Sequence, residues 1–227
     1  ADRPVYGLQA VGLDGVRPPH ETVQDMVAHY LAAIRSVQPN GPYLLGGWSL
    51  GGNLAFAMAS QLAQEGEPVE LLALFDSGVL PPDREPTEED FLPIIMALFP
   101  GEDDMTLERL RQMTPQEHFD YFSRRALKAG IVLPQFSPEM AGHVFDVFKA
   151  NLKAMWEYRP SRYPGKITLF ASQEQPIQID AAKDPCLGWG AYAEGGVEVH
   201  RIPGRHLDII REPYVRILAE KLQTCLP

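Results

Sequence analysis

The sequence predicts an α/β fold, with a mainly parallel sheet flanked by helices, because strand and helix patterns alternate at both ends of the chain. Residues 43–45 form a short apolar run, residues 51–65 are rich in alanine, and residues 69–75 form a longer, mostly apolar run. A strand, a helix and a strand at this spacing are typical of parallel strands covered on both faces. The alternation returns near the C-terminus, where we expect strands at 167–171 and 197–202 and a last helix marked by Val215, Leu218, Ala219 and Leu222.

A further helix is expected before the first strand. Thr22 and Asp25 are placed as a capping box at its start. The Pro-Asn-Gly-Pro sequence at 39–42 ends it. Between these two signals the apolar residues recur at helical spacing: Val23, Met26, Val27, Tyr30, Leu31, Ile34 and Val37.

Residues 77–166 differ in character from both ends of the chain. They contain acidic clusters and, between 144 and 155, a helical pattern of apolar residues. A connection of this length is typical of a structured insertion rather than a loop. We therefore expect one domain over 1–227, with a core formed by 1–80 and 161–227 and an inserted helical lid over about 81–160.

Composition and charge exclude several classes of function. The chain has 227 residues, of which 45% are hydrophobic, so it can bury a core and is not disordered. Its net charge is −10 and no stretch collects basic residues, which argues against nucleic acid as a partner. The longest apolar run, residues 91–100, is about half the length that a membrane-spanning helix needs, so we expect no membrane partner.

The start of the chain and its cysteines bear on the compartment. The opening Ala-Asp-Arg-Pro lacks the charged start and the apolar stretch of a secretion signal. Cys186 and Cys225 are too few for a disulfide framework. We expect free thiols and a cytoplasmic protein.

The strongest chemical signal lies where the first strand meets the alanine-rich helix. Residues 46–52 read Gly-Gly-Trp-Ser-Leu-Gly-Gly and contain the pattern G-x-S-x-G, which is typical of a nucleophile elbow. Ser49 would occupy a strained turn, and the small residues Gly47 and Gly51 would let strand and helix approach closely. The backbone N–H of Leu50, at the helix N-terminus, would be one oxyanion donor. The alternative is a glycine-rich turn with an incidental serine.

Phosphate, dinucleotide and metal sites do not fit this sequence. A phosphate-binding loop requires a lysine and a hydroxyl residue where the chain has Gly52 and Asn53. No G-x-G-x-x-G opens a helix, and His and Cys are nowhere grouped at metal-ligand spacing. We therefore expect no metal and no cofactor of the protein's own.

A serine nucleophile needs a base and an acid that orients the base, in the chain order serine, acid, histidine. Asp76 ends the strand at 69–75, at the sheet edge where Ser49 would lie, although a solvated residue that opens a turn is the alternative. His206 follows the strand at 197–202 and would reach the same edge, with a surface-loop histidine as the alternative. The other histidines have structural explanations: His20, His29, His118, His143 and His200.

These segments together resemble a known family. Gly-Trp-Ser-Leu-Gly-Gly at 47–52, Leu-Phe-Asp-Ser at 74–77, Asp-Pro-Cys-Leu-Gly-Trp-Gly at 184–190 and the segment 197–206 that ends in Pro-Gly-Arg-His are similar to the C-terminal thioesterase domains of nonribosomal peptide synthetases and polyketide synthases. The likeness covers nearly the whole chain. It implies an α/β-hydrolase fold with an inserted lid.

The resemblance also implies roles for individual residues. It puts the nucleophile at Ser49, the acid at Asp76 and the base at His206. Many α/β-hydrolases carry the acid one strand later, where this chain has Glu174, so Glu174 is the alternative acid. The family's N-terminal strand and its His-Pro-Ala-Gly-Gly-like loop, which supplies the second oxyanion donor, have no counterpart in the printed sequence, so only Leu50 is assigned as a donor.

The implied reaction is the release of a finished acyl, peptidyl or polyketide chain from the phosphopantetheine of a carrier domain, expected in the same synthase chain, by hydrolysis or macrocyclisation. The alternatives are a free-standing editing thioesterase, a general carboxylesterase and a catalytically silent binding module. Residues expected at the substrate, with core packing as the alternative, are Trp48, Phe91, Ile95, Trp156 and Trp189. Residues expected to meet the carrier domain, with a solvated helix face as the alternative, are Arg124, Arg125 and Lys128.

Overall fold

The computed structural model describes residues 3–79, 105–128, 130, 135–174 and 184–227. The described helices are α1 (Val23–Val37), α2 (Leu50–Gln64), α3 (Leu107–Arg111), α4 (Pro115–Lys128), α5 (Pro138–Glu157) and α6 (Tyr214–Cys225). The described strands are β1 (Tyr43–Trp48), β2 (Val69–Phe75), β3 (Ile167–Glu174) and β4 (Val197–Arg205). A 3₁₀ turn spans Trp189–Ala191.

The four strands form one parallel sheet in the order β1-β2-β3-β4. This topology, with helices on the sheet, confirms the predicted α/β fold. Because neighbouring strands run in the same direction, all four carboxyl ends lie at one edge. Ser49, Asp76 and His206 each come directly after the last residue of a strand, so the topology brings all three to that edge.

The side chains of β2 alternate between the two faces of the sheet, as the twofold period of a strand requires. Leu72 and Leu74 pack into the main core together with α1 and α2. Leu71 and Ala73 point the other way and pack into a second core with Leu218 of α6. Helices therefore cover both faces, which explains why the strand is apolar except for Glu70, an exposed residue near its start.

The strand β4 continues through Pro203 and Gly204 to Arg205, beyond its predicted end at Ile202. Proline is tolerated there because β4 is the last strand of the described sheet. Gly204 has a φ of +91°, a conformation that favours glycine. The register of β4 against β3 shifts at this point, a bulge that bends the strand immediately before His206.

Gly47 determines how closely β1 and α2 approach. A Cβ built on Gly47 would lie 2.0 Å from the carbonyl oxygen of Gly51, and one built on Gly52 would lie 2.4 Å from the Cβ of Ser77. A Cβ on Gly51 itself would meet no described atom within 4 Å. Space therefore requires glycine at 47 and 52, whereas position 51, contrary to our expectation, has room for a side chain.

Gly47→Ala should lower the free energy of unfolding by about 3 kcal/mol, since the clash is with rigid backbone rather than with a flexible side chain. Gly51→Ala is the matched control, and it should be neutral or stabilising by up to about 1 kcal/mol because alanine is the better helix former. Urea unfolding followed by circular dichroism measures both changes. Equal losses in the two variants would contradict the role given to Gly47.

Helices α3, α4 and α5 fall within the range predicted as a lid. Phe122 and Ala126 of α4 pack with Ala141 of α5 in a small core of their own. Ala154, near the end of α5, belongs to the main core, so α5 links the two. The role of this region as a lid stays a prediction. In the described ranges no helix is both long and apolar enough to cross a membrane.

Candidate active site

Ser49 occupies a strained turn between β1 and α2. Its backbone has φ 54° and ψ −125°, a region that L residues rarely adopt. Its N–H donates to the carbonyl oxygen of Phe75 at 2.9 Å, which ties the turn to the end of β2. The helix α2 begins at Leu50, whose N–H has, by helix geometry, no partner inside the helix. The turn therefore places the half-buried Ser49 beside an N–H that the helix itself leaves without a partner.

Asp76 is fixed at the end of β2 by contacts with β3. Its N–H donates to the carbonyl oxygen of Phe170 at 2.7 Å, and its φ is +46°. Its carboxylate is buried and accepts two hydrogen bonds from Ser172: Oδ1 from the N–H at 2.7 Å and Oδ2 from the hydroxyl at 2.8 Å. Donors of this kind stabilise the ionised carboxylate.

His206 contacts the same carboxylate. Its Nδ1 lies 2.8 Å from Oδ2 of Asp76, and both side chains are buried. With Nδ1–H donating to the carboxylate, Nε2 carries the lone pair of the neutral ring. This Nε2 is buried, and among the residues that the structure describes, Ser49 included, it has no hydrogen-bond partner. A buried nitrogen without a partner is unusual, and here it is the atom that a general base would use.

Trp48 holds the imidazole from one side. The Trp48 and His206 rings are stacked, with centroids 4.7 Å apart and planes 28° apart. The indole Nε1–H also donates to the backbone oxygen of His206 at 3.2 Å. Since Ser49 follows Trp48 directly, this contact joins the serine turn to the histidine. The structure thus gives Trp48 a contact with His206, the residue predicted as the base, which the sequence did not indicate.

Comparison with known proteins identifies the family. The family described as the thioesterase domain matches residues 2–225. The chain belongs to the thioesterase domain family. It is 33% identical over 229 residues to the dimodular nonribosomal peptide synthase of Bacillus subtilis (strain 168), covering 98% of this chain and 9% of that protein. It is 28% identical over 237 residues to the non-reducing polyketide synthase crz7 of Cladonia metacorallifera, covering 99% of this chain and 11% of that protein.

These matches confirm the resemblance to thioesterase domains of both classes of synthase, and the chain spans about a tenth of the length of these two relatives. Solved structures agree with the α/β-hydrolase fold. A four-domain nonribosomal peptide synthetase, holo-AB3403, matches with a TM-score of 0.78 at 24% identity, covering 97% of this chain and 17% of that one. The NocB thioesterase domain from the nocardicin cluster matches with a TM-score of 0.64 at 24% identity, covering 95% of this chain and 78% of that one.

In this thioesterase domain Glu174, the alternative acid, contacts Arg205 rather than His206. It ends β3, and its Oε2 accepts a hydrogen bond from Nε of Arg205 at 3.3 Å. Both side chains of this pair are largely exposed. Because Nδ1 of His206 bonds to Asp76, the geometry favours Asp76 as the acid.

Trp189 lies in the main core of the thioesterase domain. It is fully buried, packs against Phe56 with ring centroids 4.6 Å apart, and donates from Nε1 to the carbonyl oxygen of Ser77 at 2.8 Å. Asn53 donates to the hydroxyl of the same Ser77 at 2.9 Å. These bonds stabilise the turn that follows Asp76. The burial of Trp189 in the core favours a packing role over contact with substrate.

The other residues predicted to meet the substrate or a carrier domain lie in different environments. Trp156 is half-buried in the last turn of α5, while Phe91 and Ile95 lie outside the described residues. The inclusion of Arg125 among the residues that meet a carrier domain is wrong, because its side chain is buried and donates from Nη2 to the hydroxyl of Tyr121 at 2.6 Å. The other two basic residues of that group, Arg124 and Lys128, are exposed.

Sequence reasoning missed Ser172 and its two bonds to Asp76. The signal available was a hydroxyl residue near the end of the strand that neighbours the acid. That signal is weak, because the sequence does not show which neighbouring strand or side chain the hydroxyl would contact.

Proposed function

We propose that this thioesterase domain releases a finished acyl, peptidyl or polyketide chain from the phosphopantetheine arm of a carrier domain through an acyl-enzyme on Ser49. The observation that carries the proposal is the buried Asp76–His206 hydrogen bond with Nε2 left unpartnered, at the sheet edge that also carries the strained Ser49 turn. The similarity to peptide and polyketide synthases, of which the chain matches about a tenth, supports a carrier domain in the same polypeptide as the partner.

In the first step Ser49 Oγ attacks the carbonyl carbon of the thioester while Nε2 of His206 takes the hydroxyl proton. The negative charge on the carbonyl oxygen is stabilised by the N–H of Leu50 at the start of α2. Asp76 stabilises the imidazolium that forms and holds the ring in place. The carbon–sulfur bond then breaks, and the departing pantetheine thiolate takes the proton from His206.

In the second step a nucleophile releases the chain from Ser49. Nε2 of His206 takes the proton of a water, or of a hydroxyl or amine of the chain itself, which attacks the ester carbonyl. The ester bond to Oγ breaks, and His206 returns the proton to Ser49. Water yields a free acid, and an internal nucleophile yields a macrocycle. The outcome depends on how well the region around the acyl chain excludes water.

The test is the intact-protein mass after mixing with a panel of acyl-pantetheine thioesters and the matching acyl oxygen esters. A gain of one acyl group from the thioesters, located on Ser49 by peptide fragmentation, is expected. Ser60→Ala should label like the wild type, because Ser60 lies in the middle of α2, away from the turn. A covalent complex with a fluorophosphonate nocardicin G analogue is known for the NocB thioesterase domain, so a fluorophosphonate is a suitable second probe.

Three outcomes would contradict the proposal and favour another function or another nucleophile. Equal labelling by oxygen esters would favour a general carboxylesterase. Labelling at a residue other than Ser49 would remove the proposed nucleophile. No adduct and no released thiol from folded protein would favour a binding module. The mass of the released product separates hydrolysis from cyclisation, because a macrocycle lacks the added water.

Trp48→Leu should lower the maximum rate of acyl-pantetheine turnover by about tenfold, since it removes both the stacking on His206 and the hydrogen bond to its carbonyl oxygen. Trp48→Phe, which keeps an aromatic face, should lose less. Steady-state release of pantetheine thiol measures both variants. A loss confined to substrate affinity, with the maximum rate unchanged, would instead place Trp48 at the substrate.

A further inference from the structure

Ser172, near the end of β3, contacts both oxygens of the Asp76 carboxylate. Its N–H donates to Oδ1 and its hydroxyl donates to Oδ2, at 2.7 and 2.8 Å. Its relative exposure is 0%, so water does not compete for these bonds. Oδ2 is also the oxygen that accepts the Nδ1–H of His206. Ser172 and His206 therefore share one acceptor atom.

The order of the strands explains this arrangement. The strand β3 lies between β2, which ends directly before Asp76, and β4, which ends directly before His206. Near the carboxyl end of β3, Ser172 is opposite Ile202 of β4 and within bonding distance of Asp76 on the other side. A residue at this position contacts Asp76 and lies beside β4, the strand that His206 follows.

Three described donors contact this carboxylate: the Nδ1–H of His206 and the N–H and hydroxyl of Ser172. The torsion that turns a carboxylate about its Cβ–Cγ bond has broad preferences, so the contact with His206 alone would leave the plane free to rotate. Bonds at both oxygens, from a backbone N–H and a side-chain O–H of the same residue, fix that plane. Both bonds also favour the ionised form that must face the imidazolium.

We propose that Ser172 is a positioning residue, whose hydroxyl and N–H hold the ionised Asp76 carboxylate with Oδ2 directed at Nδ1 of His206. The proposal rests on the proposed function for its effect on turnover, but the geometry of the Asp76–His206 pair can be measured without turnover. The hydroxyl is the part that mutation can remove, because the N–H belongs to the backbone.

The experiment compares wild type, Ser172→Ala, Ser172→Thr and the matched control Ser60→Ala. Ser60 is also a buried serine, with 4% exposure, and its hydroxyl has no hydrogen-bond partner among the described residues. Two quantities are measured: the acylation rate with an acyl-pantetheine thioester over a range of concentrations, and the low-field proton NMR resonance of the Nδ1–H of His206. Circular dichroism melting shows that each variant is folded.

Ser172→Ala should lower the maximum acylation rate by about tenfold, as expected for loss of a hydrogen bond to a charged group while the backbone bond remains. The concentration for half-maximal rate should stay close to that of wild type, because Ser172 does not meet substrate. The low-field resonance should broaden or shift. Ser172→Thr keeps the hydroxyl and should recover both properties, and Ser60→Ala should change neither.

Unchanged acylation and an unchanged resonance in folded Ser172→Ala would overturn the proposal. So would a folded Ser172→Thr that is as slow as Ser172→Ala, because the hydroxyl would then not be the cause. If wild type itself fails to turn over while its resonance is present and is broadened or shifted in Ser172→Ala, the proposed function fails and the positioning role stands. If Ser172→Ala does not fold, Ser172→Cys takes its place, because a thiol is close in size to the hydroxyl group but is a weak donor. Unchanged acylation and an unchanged resonance in folded Ser172→Cys would then overturn the proposal.

Discussion

Replacing Ser49 with alanine should abolish the acyl-enzyme and lower the turnover number by about 10⁶-fold, because the oxygen proposed to attack is removed and a triad acts as one unit. The fold should be retained, since alanine meets the same backbone cost as serine at a φ of 54°. Intact-protein mass spectrometry after mixing with an acyl-pantetheine thioester measures the adduct. Persistence of a single acyl adduct on this variant would identify a different nucleophile.

Ser49→Gly separates the chemistry of this position from its backbone strain. Glycine adopts positive φ without the steric cost that a Cβ brings, so this variant should be inactive and yet more stable than wild type by roughly 1 kcal/mol. Chemical unfolding compares it with Ser49→Ala. A Ser49→Gly variant no more stable than Ser49→Ala would show that the turn stores no strain at this residue.

The fold was predictable because it depends on local patterns. Continuous apolar runs such as 71–75 mark strands buried on both faces, and the parallel sheet follows from the helices between them. The end of β4 was not predictable in the same way. Proline and glycine at 203 and 204 read as a turn, but an edge strand tolerates a proline and a bulge absorbs the positive φ of Gly204.

The candidate site was predictable only to the level of the sheet edge. Chain order and strand ends bring Ser49, Asp76 and His206 to that edge, whereas the contacts that hold them involve residues distant in sequence. The stacking of Trp48 on His206 is one such contact. The burial of Arg125 is different, because Tyr121, four positions earlier on the same helix, already offered a hydroxyl that could draw the guanidinium inward.

Asp76, the proposed acid, is the second position where a large effect is expected. Asp76→Asn should lower the turnover number by about 10⁴-fold, whereas Glu174→Gln should leave it near the wild-type value. Glu174 is the matched control, since both substitutions turn a carboxylate near the end of a neighbouring strand into an amide, and its partner Arg205 is an exposed residue. Single-turnover acylation rates measure both, and the reverse ranking would move the acid to Glu174.

The size of the loss at Asp76 follows from the donors around it. An amide nitrogen in the place of Oδ1 would face the N–H of Ser172, which is a contact between two donors. In the place of Oδ2 it would face Nδ1 of His206 and donate to it, so the proton of the neutral ring would move to Nε2. The nitrogen that must accept the serine proton would then already carry one. Either orientation also removes the negative charge that stabilises the imidazolium. The hydrogen-bonding capacity of the asparagine amide is therefore not expected to restore activity. Asp76→Glu keeps the charge and should retain more activity than Asp76→Asn.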